Sequence, residues 1–129
     1  MNNEQAYGNL IIKAYVAEEA VPIKDVNILI KGADRDNFDV IFTSVTDENG
    51  LSEQIILPTL PKELSLSPEV KQGYYSYNIT ATKEGYTNKN YYGIPIFSGV
   101  NTYLPINMIP EDNEETAINS DFIITQANS

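Results

Sequence analysis

An all-β sandwich of seven short antiparallel strands is the fold class that this sequence predicts, and three observations predict it. Runs of apolar and β-branched residues alternate with polar ones at a period of two. Clusters of Gly, Asn, Asp and Pro separate those runs. No segment sustains apolar residues at the helical spacing of i, i+3, i+4 and i+7.

The elements follow in order along the chain. Leu10 to Val16 reads as the first strand, with Leu10, Ile12, Ala14 and Val16 on one face and Ile11, Lys13 and Tyr15 on the other. Residues Glu18 to Pro22 interrupt it. The second strand, Val26 to Gly32, turns Val26, Ile28 and Ile30 one way and Asn27, Leu29 and Lys31 the other. A polar turn, Gly32 to Asn37, leads to a third strand from Phe38 to Thr46. The tetrapeptide Asp47-Glu48-Asn49-Gly50 suits a tight turn with positive φ at Asn49 or Gly50, so Leu51 to Leu57 is expected to complete a hairpin. Residues Pro58 to Gly73 hold Pro58, Pro61 and Pro68, which argues against a central strand and for a crossing between sheets. Tyr74 to Lys83, Tyr91 to Phe97 and Thr102 to Ile109 are the remaining strands. Their expected inward sets are Tyr75, Tyr77, Ile79 and Ala81; then Tyr92, Ile94 and Ile96; then Leu104, Ile106 and Met108.

Composition narrows the function classes. The chain has 129 residues, a formal net charge of -10, no cysteine and no histidine. Without cysteine there is neither a disulfide framework nor thiolate chemistry. Without histidine there is no histidine-based triad and no histidine-ligated zinc. Excess negative charge repels phosphate backbones and anionic lipid, so neither nucleic acid nor membrane insertion is expected, and a monomer is. The N-terminus is polar and shows no signal peptide, and the apolar runs are too short to span a bilayer. No phosphate-binding glycine loop or nucleophile elbow is present, and the chain is read as not an enzyme and as lacking a cofactor.

A set of motifs then lines up in one order: Gly8-Asn9-Leu10, Pro22-Ile23 leading to Val26-Asn27-Ile28, Thr46-Asp47-Glu48-Asn49-Gly50, Tyr77-Asn78-Ile79, Glu84-Gly85-Tyr86 and Gly93-Ile94-Pro95-Ile96-Phe97. The series resembles the carboxypeptidase regulatory-like module, a transthyretin/prealbumin-like Greek-key sandwich. Leu64-Ser65-Leu66-Ser67-Pro68, Tyr75-Ser76-Tyr77-Asn78-Ile79 and Pro105-Ile106-Asn107-Met108-Ile109-Pro110 are similar to the module on the N-terminal side of spore cortex-lytic enzymes and related peptidoglycan-binding proteins. The resemblance implies a module at residues 8–110, after an extension at 1–7 and before an acidic tail at 111–129. Phe122-Ile123-Ile124 in that tail could add a docking strand. It also implies a non-catalytic accessory, spacer or interaction role beside peptidoglycan or a cell-wall hydrolase, in a spore or cell-envelope setting. The alternative is a structural or adhesive subunit that assembles through sheet edges.

Three candidate sites come from the residues. Tyr74, Tyr91 and Tyr103 fall on outward positions by alternation, where flat rings can stack on a sugar or a partner. Asp34, Asp36, Asn37 and Asp39 are dense in oxygen ligands, but their spacing departs from the calcium loop and suits a backbone-bonding turn, so no metal site is assigned. Lys13 and Asn107 are positions from which adhesin-like sandwiches form an isopeptide bond, but the acid such a bond needs is missing between Tyr77 and Thr82.

Overall fold

The computed structural model describes residues 6–17, 21–61 and 73–111. The elements are β1 (Ala6–Val16), β2 (Val21–Pro22), β3 (Asn27–Gly32), β4 (Ile41–Val45), β5 (Ile55–Thr59), β6 (Tyr75–Thr82), β7 (Tyr86–Thr87), β8 (Lys89–Ile96), β9 (Asn101–Asn107) and β10 (Ile109–Pro110). No helical element occurs among the described residues. Phe122-Ile123-Ile124 and most of the acidic tail lie outside them.

Two sheets form the sandwich. In the first, β1 runs down the middle, with β9 on one side and β5, Leu51 and then β2 along the other. The second has the order β4-β3-β6-β8, antiparallel throughout. A short pair, β7 with β10, sits beside them. Alternation fills the space between the sheets. Leu10, Ile12 and Ala14 of β1 meet Ile28 and Ile30 of β3, Tyr77, Ile79 and Ala81 of β6, and Ile96 of β8. Leu57, Ile106 and Met108 complete this buried cluster. Each such aliphatic side chain contributes about 1.5–3 kcal/mol on leaving water.

Three expectations need correction. The pair β1–β9 is parallel, with Asn9 opposite Asn101 and Tyr15 opposite Asn107. The chain leaves β8 through Phe97 to Val100 and re-enters the first sheet beside the start of β1, so β9 must run the same way. The turn at Asp47 to Gly50 does not close a hairpin, since β4 lies in the second sheet and β5 in the first. Gly50, at φ 77°, presents its carbonyl to the Ala14 amide, and Ser52 donates its amide to the Ile12 carbonyl while its hydroxyl accepts the Ile12 amide. A Cβ on Gly50 would come within 2.4 Å of the Ala14 carbonyl oxygen, which fixes glycine at this crossing.

The third correction concerns β8. Tyr77 pairs with Ile94 and Ile79 with Tyr91, so Tyr92 and Gly93 together oppose Asn78. This is a β-bulge, with Gly93 at φ 70° and its amide donating to Asn78 Oδ1 at 3.0 Å. The extra residue inverts the alternation before it. Tyr91 therefore turns inward against the core, and Tyr92 stands 75% exposed.

Candidate interaction surface

The three predicted tyrosines do not share a face. Tyr74, just ahead of β6, sets its ring edge-on against Phe97 with centroids 4.9 Å apart. Tyr91 packs on the core, where burial raises its hydroxyl above the usual tyrosine range and the nearby Tyr15 adds to the rise. Tyr103 alone stands free on an outer face, 56% exposed.

Tyr103 marks a larger surface, the outer face of the first sheet. The parallel register sets Tyr103 beside Ile11, Asn101 beside Asn9, Pro105 beside Lys13 and Asn107 beside Tyr15. On the opposite side of β1, Ile56 flanks Asn9 and Pro58 flanks Tyr7. Tyr7 and Ile56 are exposed, and Ile11 and Tyr15 are half-buried. Asn9 Nδ2 donates to Asn101 Oδ1 at 2.8 Å, which ties two side-chain amides together across the β1–β9 pair. Lys13 is the one charged side chain these strands carry. The result is a flat stripe of rings and aliphatic groups crossed by amides. Alternation along β1 marks Tyr7, Ile11 and Tyr15 as one row. That β9 is their neighbour depends on a contact 92 residues apart in the chain.

The other candidates resolve into local structure. Asn37 is buried, and its Oδ1 accepts the Asp34 amide at 2.8 Å while its Nδ2 donates to the Ser76 carbonyl at 3.1 Å. Asp34 Oδ2 accepts the Ser76 amide at 2.7 Å. The loop thus uses Asp34 Oδ2 and Asn37 Nδ2 to fasten itself to β6. Among the described residues, no group of three or more His, Cys, Asp or Glu is arranged to hold a metal ion. Lys13 is half-buried on β1, whereas Asn107 is exposed and lies two residues further along the register, beside Tyr15. Among the described residues no helix is long and apolar enough to cross a membrane.

No family model matches the chain, and no curated protein matches it by sequence. Solved structures of similar architecture include the Bacillus anthracis TIE protein, at 15% identity and a TM-score of 0.54, covering 81% of this chain and 17% of that one. A 3-chlorocatechol 1,2-dioxygenase from Rhodococcus opacus 1CP has 16% identity and a TM-score of 0.47, and a chlorocatechol 1,2-dioxygenase from Pseudomonas putida has 14% and 0.42. Each of these two is covered over 63% of its length and covers 85% of this chain. The chain therefore spans less than two thirds of the length of each of the three. At this identity the likeness to the TIE protein shows the fold alone. The comparisons also correct the reading of the chain as not an enzyme. That reading rested on missing motifs, and proteins named as dioxygenases stand among the structural neighbours.

Proposed function

We propose that the chain is an accessory interaction and spacer module of the carboxypeptidase regulatory-like, transthyretin-like type, working beside peptidoglycan or a cell-wall hydrolase in a spore or cell-envelope setting. The ordered motifs from Gly8 to Pro110 support this reading, together with a strand order in which β5-β1-β9 faces β4-β3-β6-β8. The observation that carries the binding role is the outer face of the first sheet. Tyr7 and Tyr103 offer ring faces on which a sugar can stack, and Asn9, Asn101 and Asn107 offer amides for its hydroxyls. Without an acidic side chain in these strands, the face does not repel an anionic polymer as the chain's net charge would.

Retention on purified peptidoglycan tests the proposal. The Tyr7→Ala, Tyr103→Ala double variant should lose at least threefold in retention. Tyr92→Ala, on the second sheet, should match the unmodified protein. Equal retention by all three would sink the proposal.

A further inference from the structure

Among the described residues, the unpaired edges of the two sheets differ in one respect that bears on binding. An exposed edge strand is a template for another strand unless proline, lysine or a bulge blunts it. Pro58 lies in β5, Pro105 in β9 and Pro22 in β2, while β8 carries both the Gly93 bulge and Pro95. The remaining edge, β4, reads Ile-Phe-Thr-Ser-Val and has none of these devices. Its Ile41 and Val45 are 57% and 51% exposed, and Phe42 is exposed too.

The direction of its free backbone groups follows from the ladder. The Gly32 amide donates to the Val40 carbonyl and the Thr46 amide to the Val26 carbonyl. At a period of two, Val40, Phe42, Ser44 and Thr46 bond to β3, and the amides and carbonyls of Ile41, Thr43 and Val45 face outward. Charge is concentrated at one end of this edge. Asp47 and Glu48 follow β4 after Thr46, and Glu53 lines a shallow groove with Asn27, Thr43, Ser44 and Val45. Lys24 and Asp25 lie in the neighbouring loop, leaving that end net negative. At the other end Asp34, Asp36 and Asp39 are largely offset by Lys31 and Arg35.

We propose that β4 receives an extended segment of a partner protein as an additional antiparallel strand. The segment carries β-branched residues at alternate positions and Lys or Arg at its N-terminal end, which lies over Asp47, Glu48 and Glu53. A second copy fits worse. Self-pairing centred on Thr43 sets Asp39 opposite the copy's Asp47 at both ends. The chain's own Phe122-Ile123-Ile124 is preceded by Asp121, which is the wrong sign for the acidic end.

The test uses two end-blocked peptides of alternating valine and threonine. One opens with two lysines and the other with two glutamates. With the full chain, the lysine peptide should slow amide exchange at Ile41, Thr43 and Val45 in NMR spectra. It should bind at least tenfold more tightly than the glutamate peptide, and 0.5 M salt should shrink that preference. Thr43→Pro removes an outward amide without touching the β3 ladder and should abolish binding. Val45→Lys serves as a second blocked edge should the proline variant fold poorly. Protection elsewhere, equal binding of the two peptides, no binding, or edge protection that grows with protein concentration alone would each overturn the proposal.

Discussion

Thr59 joins the two sheets by its hydroxyl, and its replacement by valine gives a sharp test of how the sandwich is held. It is the last residue of β5 in the first sheet and is 1% exposed. Its Oγ1 donates to the Ile96 carbonyl of β8 and accepts the Tyr75 amide of β6 at 2.9 Å. Tyr75 and Ile96 oppose each other in the ladder of the second sheet, so the hydroxyl bridges the end of that ladder to β5. Valine has nearly the same shape and strands both partners. A buried group left without its hydrogen bond costs roughly 1–3 kcal/mol, and the Tyr75 amide is only partly buried, so the pair should cost about 2–4 kcal/mol. For a domain of this size the urea slope is roughly 1–1.5 kcal/mol/M, which predicts a midpoint lowered by about 2 M at unchanged slope. Thr59→Ser keeps the hydroxyl and loses one methyl, at about 1 kcal/mol. Urea unfolding followed by tyrosine fluorescence measures all three proteins. If valine costs under about 0.5 kcal/mol, or serine costs as much as valine, the hydroxyl is not the connection.

Two other predictions concern backbone and pH. Gly50→Ala should destabilise well beyond Gly93→Ala, by thermal unfolding. Both glycines have positive φ, so each substitution carries roughly 1–2 kcal/mol of left-handed strain, but only at Gly50 does the added methyl meet backbone. Comparable losses would refute the close approach. Burial raises the hydroxyls of Tyr75, Tyr77 and Tyr91, with Asp36 and Asp34 adding to Tyr75. A raised folded-state value means that the stabilisation is complete below the unfolded value of about 10 and is lost as pH rises past it. Stability should therefore fall above about pH 10, with part of the tyrosine absorbance change delayed until unfolding. A single tyrosinate transition near 10 in the folded protein would contradict this.

How much was legible in the sequence depended on how far each feature reaches. Alternation in β1 and β3 marks Leu10, Ile12, Ile28 and Ile30 as inward, and all four are buried, because a regular strand's period is local. The bulge in β8 broke the same reasoning. Asn78 and Gly93 make it together across two strands, so counting along Tyr91, Tyr92 and Gly93 cannot reveal which ring turns in. The Asp47–Gly50 turn showed its positive φ in its composition, but not its destination, which depends on Gly50 and Ser52 finding Ala14 and Ile12. The candidate surface failed in the same way. Tyr103 was found as an outward ring, while Tyr7 and Tyr15 belong with it only because β9 returns parallel to β1.

The placement of charge connects the two proposed surfaces. Every Asp and Glu among the described residues lies outside the strands, in the loops and at the ends of the sandwich. The outer face of the first sheet therefore carries no carboxylate on its own strands, and recognition around Tyr103 depends on ring contact and amide hydrogen bonds. The five-residue strand β4 spans only about 17 Å, and Val45 is two residues from Asp47. A segment laid along β4 lies within reach of those carboxylates for part of its length. One acidic chain therefore presents a face free of acids and a charge-selective edge, because its acids are kept out of the strands and β4 is short enough to feel them.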